Sequence, residues 1–304
     1  MNKKWESRII RTMYRFGGCL PDEIYTRLIY RLKTGKRLNL KNPQTFNEKL
    51  QWLKLYDHNP LYTTLVDKYA VKQWVADKIG SEYVIPTLGV WDRPEDIDWD
   101  SLPDQFVLKT THGGGGDGVV ICKDKAKLNK ADVLARLQKS MKTDPYKRLR
   151  EWPYKNVPRR IIAEKFMQDY GRPDNKDLVD YKFFCYDGKA KYFKVDYDRF
   201  VDHRANYYSF EGELLPFGEA ACPPLPDHIE EMPENLQQMV SIAETISTGK
   251  PFLRVDLYNI NGRIYFGETT FYPAGGVGKL TPQGTDEYWG KWIKLTSSTG
   301  GVNC

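Results

Sequence analysis

Histidine is scarce in this chain: four occur in 304 residues, His58, His112, His203 and His228, and no two stand at metal-ligand spacing. A His-rich metal centre is therefore excluded. Cysteine occurs five times, at 19, 122, 185, 222 and 304, an odd number at wide intervals. Neither a disulfide framework nor a zinc cage follows from that pattern, and a reducing cytoplasm is the expected compartment. No apolar run approaches the roughly 20 residues that a membrane-spanning helix needs. The start, MNKKWESRIIRTMYRF, is broken by charge before an apolar stretch develops, so no cleavable leader is expected. Internal repeats and low-complexity segments are also missing. No Gly-x-x-x-x-Gly-Lys-Ser/Thr occurs, which excludes a P-loop, and no Gly-x-Gly-x-x-Gly leads from a strand into a helix, which leaves a Rossmann site unsupported.

What the chain does have is an uneven charge. The net is +6, yet residues 1 to 50 hold twelve Lys/Arg against four Asp/Glu, a net of +8 that leaves the remainder at −2. Trp5, Ile9, Met13 and Phe16 recur at helical spacing with Lys3, Lys4, Arg8, Arg11 and Arg15 among them. This pattern fits a basic amphipathic helix lying on an anionic membrane surface, and equally a helix packed on its own protein with a solvated basic face. Nucleic acid is not an expected partner, because no basic and aromatic stripe continues into the body of the chain.

Periodicity then gives the elements. PQTFNEKLQWLKLYD reads as a helix with Thr45 as N-cap, LYTTLVDKYAVKQWVADKIG as a further helix ended by Gly80, and residues 130 to 141 as another. From Arg160 onward strands dominate, with hairpin turns at Asp187-Gly188 and between Asn259 and Gly262. Hairpins mixed with helices predict an α+β architecture instead of a doubly wound parallel sheet.

Two constellations carry chemistry. The first is KTTHGGGGDGVVIC, where Gly113, Gly114, Gly115 and Gly116 lie between two β-rich runs. Backbone N–H groups of such a hairpin can wrap phosphate oxygens with a nearby lysine as countercharge; a mobile hairpin without a ligand has the same look. The second is FLRVDLYNINGRIYFGETTFYP. Strand alternation puts Arg254 and Asp256 on one face and Val255 and Leu257 on the other. A turn near Gly262 then brings Asp256 opposite Glu268, with Thr270 on the same face. Two carboxylates and a hydroxyl suit a hard, oxygen-seeking cation such as Mg²⁺, and a solvated cross-strand surface is the alternative.

Taken in order, PQTFNEKLQWLKLYD, DKYAVKQWV, FVLKTTHGGGGDGVV, IIAEKFM, DYKFFCYDGK and the closing hairpin resemble the ATP-grasp superfamily, in particular its teichuronopeptide-biosynthesis branch. The resemblance implies an ATP-grasp fold, two α+β lobes with ATP between them. The expected division is a basic helical region at 1–62, a first lobe with the glycine loop at 63–167 and a second lobe with the metal hairpin at 168–304. It implies ATP and Mg²⁺ as cofactors. Lys68 and Lys109 match phosphate lysines, and Gly113 to Gly118 the loop over the triphosphate. Glu164 lies in the adenine hinge, with the main chain of Lys165, Phe166 and Met167 meeting the base. Asp180 is the candidate for the ribose hydroxyls, and Lys182 reaches phosphate or faces solvent. Arg254 and Lys109 are the expected catalytic residues, and Asp256 and Glu268 match metal carboxylates. One departure stands out, because Thr270 takes the place of the superfamily's usual asparagine. His112 and the FYPAGG segment either border the substrate or simply pack.

The implied reaction is ligation of a carboxylate to an amine through an acyl phosphate. The implied partners are a small-molecule or glycan acceptor bearing a carboxylate and an amine co-substrate, in bacterial surface-polysaccharide synthesis. A kinase of a glycan hydroxyl and a glycosyltransferase or non-catalytic assembly module are the rival readings.

Overall fold

The structure is a computed structural model that describes residues 3–114, 116, 118–170, 178–197 and 202–295, with side chains described from residue 8. Nine helices are described: α1 (Lys3–Phe16), α2 (Asp22–Thr34), α3 (Phe46–Tyr56), α4 (Leu61–Val66), α5 (Ala70–Ile79), α6 (Lys130–Met141), α7 (Pro145–Leu149), α8 (Leu236–Ser247) and α9 (Thr285–Gly290). The strands are β1 (Thr87–Trp91), β2 (Phe106–Thr110), β3 (Val120–Cys122), β4 (Ile161–Lys165), β5 (Asp180–Tyr186), β6 (Lys189–Tyr197), β7 (Arg204–Tyr208), β8 (Gly218–Glu219), β9 (Phe252–Ile260), β10 (Arg263–Thr270) and β11 (Leu280–Thr281). They form a four-stranded sheet in the order β1-β4-β2-β3, a five-stranded sheet β10-β9-β5-β6-β7 and a two-stranded pair β11-β8. Every ladder between these strands is antiparallel, which is the α+β arrangement expected from the hairpin-rich pattern.

Turn chemistry fixes the two hairpins of the larger sheet. Asp187 and Gly188 have φ of 50° and 73°, and Asn261 and Gly262 of 52° and 77°. Both pairs are left-handed at both central residues, as the two-residue turn that matches strand twist requires. The start of α3 is set just as locally: the Thr45 hydroxyl accepts the Glu48 amide at 3.2 Å while the Glu48 carboxylate accepts the Thr45 amide at 3.2 Å. That reciprocal cap satisfies two otherwise orphaned donors.

The single helix expected from LYTTLVDKYAVKQWVADKIG is instead two. The Asp67 side chain accepts the Tyr69 and Ala70 amides at 2.9 and 3.3 Å and is paired with Arg160 at 3.0 Å. An aspartate that caps the next turn competes with helix continuation. The break turns Lys68 out between α4 and α5, and its amide donates to the Thr111 carbonyl at 3.0 Å.

One core joins α3, α4, α5 and α8 to the five-stranded sheet, through Phe46, Leu50, Leu65, Val75, Phe184, Ile246 and Leu253. A smaller core packs α6 on the four-stranded sheet, through Phe106, Leu108, Val133, Leu137 and Ile161. α3 thus shares its core with the larger sheet, so the expected division at 62/63 does not coincide with a division of the core. Among the described residues no helix is long and apolar enough to cross a membrane, and the described cysteines, Cys19, Cys122, Cys185 and Cys222, are all free.

Candidate active site

A cleft of about 2600 Å³ is lined by residues of both large sheets. Along β2, Phe106, Leu108 and Thr110 are buried on one face, so Val107 and Lys109 point to the other and line the cleft. Strand β4 runs alongside, with Glu164 paired in register to Val107. The Glu164 carboxylate, 8% exposed, holds Lys72 of α5 at 2.5 Å on one oxygen and Lys109 at 2.6 Å on the other. Burial alone would raise this carboxyl; Lys109 and then Lys72 reverse that and hold it at about 2. Burial lowers Lys72 more than Glu164 restores it. For Lys109 the opposing burial is overcome by Glu164, with Glu268 and Asp180 beyond, and its ammonium is raised.

The β9–β10 hairpin forms the other wall. Asp256 lies opposite Glu268 and Arg254 opposite Thr270, with a bulge at Gly267. That bulge favours glycine, because a Cβ there would crowd the Asp256 carbonyl oxygen at 3.0 Å. Arg254 grips Asp256 with two parallel bonds of 2.7 Å, donates to the Thr270 hydroxyl at 2.9 Å and lies 3.7 Å from Glu268. Lys68, brought in by the break after α4, meets Glu268 at 2.9 Å. Burial pushes the Glu268 carboxyl up, but Lys68 and Arg254 outweigh it and hold the group well below the usual carboxylate range.

Lys182 on β5 stands opposite Asp256 in register and is buried. Its ammonium reaches Asp180 at 2.8 Å, Asp196 at 2.9 Å and Asp256 at 3.8 Å. Lys194 on β6 continues the series, at 3.2 Å from Asp196 and 3.0 Å from Glu219. Cation and carboxylate thus alternate across the floor of the cleft, so that each buried charge has an opposite neighbour.

A sequence profile of the family TupA-like ATPgrasp matches residues 48–294. The chain belongs to that family. Solved structures similar to it include a D-alanine-D-alanine ligase from Bacillus anthracis complexed with ATP, 13% identical with a TM-score of 0.40, covering 68% of this chain and 54% of that one. An ATP-grasp ligase, PsnB, complexed with a minimal precursor is 13% identical with a TM-score of 0.39, covering 73% and 60%. The D-cycloserine synthetase DcsG is 15% identical with a TM-score of 0.40, covering 69% and 63%. The chain thus spans between 54% and 63% of the length of these structures. No curated protein matches it in sequence.

In this TupA-like ATP-grasp chain the cleft gathers Lys68, Lys109, Gly113, Gly114, Gly116, Glu164, Lys165, Phe166, Met167, Asp180, Lys182, Arg254, Glu268 and Thr270. Asp256 is buried beneath them, and Gly115 lies outside the described residues. Three expectations change. Lys182 does not face solvent, because three carboxylates hold it inside the sheet face. The Lys165 amide is already taken by the Pro86 carbonyl at 3.0 Å, so it does not meet an adenine edge. His112 is buried against α6, where Nε2 meets the Ser140 carbonyl at 3.3 Å, and it packs without bordering the cleft. Lys72 went unnoticed in the sequence; its one signal was its spacing, four residues after Lys68.

The residues fit the groups that ATP-grasp proteins imply. Asp256, Glu268 and Thr270 offer oxygen donors alone, as Mg²⁺ prefers. Both carboxylates are paired with Arg254, Lys68 or Lys182, cations with which a metal ion there would compete. A Cβ at Gly114 would meet nothing within 4 Å, so the loop backbone leaves open space beside it. A volume of about 2600 Å³ exceeds the roughly 300–1,000 Å³ of a single small-molecule pocket and leaves room for a second substrate.

Proposed function

We propose that this protein is an ATP- and Mg²⁺-dependent carboxylate-amine ligase that attaches an amino acid or amine to a sugar acid in bacterial surface-polysaccharide synthesis. The observation that carries the reading is the facing pair Asp256 and Glu268, with Arg254 and Thr270 facing each other two positions along; Glu268, Arg254 and Thr270 line one cleft with Lys68 and Lys109, and Asp256 lies buried beneath it. The sugar-acid part follows the teichuronopeptide-branch resemblance. When bound, MgATP supplies an electrophilic γ-phosphoryl group that activates a carboxylate as an acyl phosphate.

The chain's own residues do the rest by charge and position. Asp256 and Glu268 are the carboxylates that would hold the metal, and the Thr270 hydroxyl is the further oxygen donor on the same strand face. Lys68 and Lys109 neutralise phosphate oxygens, and the backbone around Gly113, Gly114 and Gly116 closes over them and excludes water. Arg254 stabilises charge on the phosphoryl group in transfer. Lys72 and Glu164 set the position of the Lys109 ammonium. The Lys165 carbonyl and the backbone of Phe166 and Met167 meet the base, and Asp180 faces the ribose.

The test is incubation of the full chain with MgATP, uronic-acid oligosaccharides and a panel of amino acids, following ADP and phosphate with Glu268→Gln as control. A ligase releases phosphate only when carboxylate and amine are both present. ADP with phosphate retained on the sugar would identify a kinase, and no nucleotide turnover in any pairing would remove both readings.

A further inference from the structure

Helix α1 has no buried side chain among those described: Arg8, Arg11, Thr12, Arg15 and Phe16 are exposed, and Ile9, Ile10, Met13 and Tyr14 are half-buried. An amphipathic helix packed on its own protein would bury its apolar stripe. Here Phe16 is 65% exposed, and on the next helix, α2, Ile24 and Leu28, one helical turn apart, face solvent at 50% and 43%. Basic residues are exposed on the same two helices: Arg31, seven positions after Ile24 and so on its side of α2, Lys36 and Arg37 just beyond the helix end, and the arginines of α1. The acids of α2 do not offset them. Asp22 is drawn inward by Arg150 at 2.8 Å, and Glu23 is spent on Arg27 at 2.8 Å.

We infer that the α1–α2 face docks on a bilayer containing anionic phospholipid. Charge complementarity selects this occupant. A second copy of the chain would bring two strongly positive faces together, and a soluble polyanion would gain nothing from Phe16, Ile24 and Leu28. An anionic bilayer offers headgroups to the arginines and an acyl boundary to the apolar side chains. Tyr14 and Lys33, on the same two helices, also line the cleft, and the Arg148 guanidinium lies 5.4 Å from the Tyr14 ring centre. The inference stands independently of the ligase reading.

The experiment is flotation of the full chain with vesicles of phosphatidylcholine alone and of phosphatidylcholine with phosphatidylglycerol, at low and high salt. Binding is expected only with phosphatidylglycerol and is weakened by salt. The set Arg8→Gln, Arg11→Gln and Arg15→Gln should lower partition by about a hundredfold, at roughly fivefold for each basic side chain. Ile24→Ser with Leu28→Ser should lower it by roughly tenfold. These positions are exposed, and an unchanged melting curve verifies that each variant folds. Three results would overturn the inference: no enrichment with phosphatidylglycerol, unchanged binding by the Ile24/Leu28 variant, or a concentration-dependent dimer that this variant abolishes. The second would mark a charge-only polyanion site and the third an interface between copies.

Discussion

Lys109 and Glu164 sit on neighbouring strands with 2.6 Å between ammonium and carboxylate, and Lys72 holds the other carboxylate oxygen. Glu164 is therefore the only counterion these two lysines share among the described contacts. Glu164→Ala removes that shared counterion, while Lys72 keeps its bond to the Ile85 carbonyl at 2.6 Å and Lys109 opens on the cleft, so the change should cost about 1–3 kcal/mol, read from chemical denaturation at neutral pH.

The same carboxylate makes stability depend on acid. Its folded value of about 2 lies below the ordinary 4.5, so the unfolded chain binds the proton first. The contribution is fully present above pH 4.5 and drains away as pH falls through the window from 4.5 toward 2. Glu164→Gln should flatten the stability profile in that window and leave its shape near neutrality unchanged.

Arg254 occupies both oxygens of Asp256 with bonds of 2.7 Å, in the place a divalent cation would use. A cation held by Asp256 would compete with this fork for the same two oxygens, and Asp256 and Glu268 are the residues that would hold it. Asp256→Asn and Glu268→Gln should each abolish Mg²⁺-dependent nucleotide affinity and lower turnover by about 10²–10³. Isothermal titration with and without Mg²⁺ checks the first effect.

Removing a phosphate lysine should act on binding. Lys68→Met or Lys109→Met deletes a charge-assisted contact of about 1.5–3 kcal/mol, which weakens nucleotide affinity roughly 10- to 100-fold. Titration of each variant with a non-hydrolysable ATP analogue measures it.

The glycine loop offers a contrast between two positions. Gly118 has φ +78°, and a Cβ there would collide with the Ser140 side chain and stand 2.9 Å from the Thr110 hydroxyl. Gly118→Ala should destabilise by about 2 kcal/mol. Gly114 has open space around it, so Gly114→Ala should leave the melting temperature unchanged while weakening nucleotide binding. Equal affinity for that variant would remove Gly114 from the phosphate site.

Local rules carried much of this into view. The Thr45 cap, the Asp187-Gly188 and Asn261-Gly262 turns, and the face shared by Arg254 and Asp256 each depend on residues a few positions apart. The facing of Asp256 and Glu268 followed from alternation and one turn, although the bulge at Gly267 did not. What stayed hidden depends on partners far along the chain. Asp67 at the helix break pairs with the distant Arg160, the Lys72–Glu164–Lys109 triad joins three elements, and buried Lys182 is surrounded by Asp180, Asp196 and Asp256. Periodicity alone also read α4 and α5 as one helix, because a capping aspartate looks like any exposed polar residue until its amide partners are placed.

We propose that Lys109, Glu268 and Asp256 together hold a magnesium nucleotide. The most direct test is calorimetric titration of the full chain with a non-hydrolysable ATP analogue, with and without Mg²⁺. Saturable binding that depends on Mg²⁺ and disappears in Glu268→Gln is the predicted result. Absence of binding by the unaltered chain, or equal binding by Glu268→Gln, would contradict it.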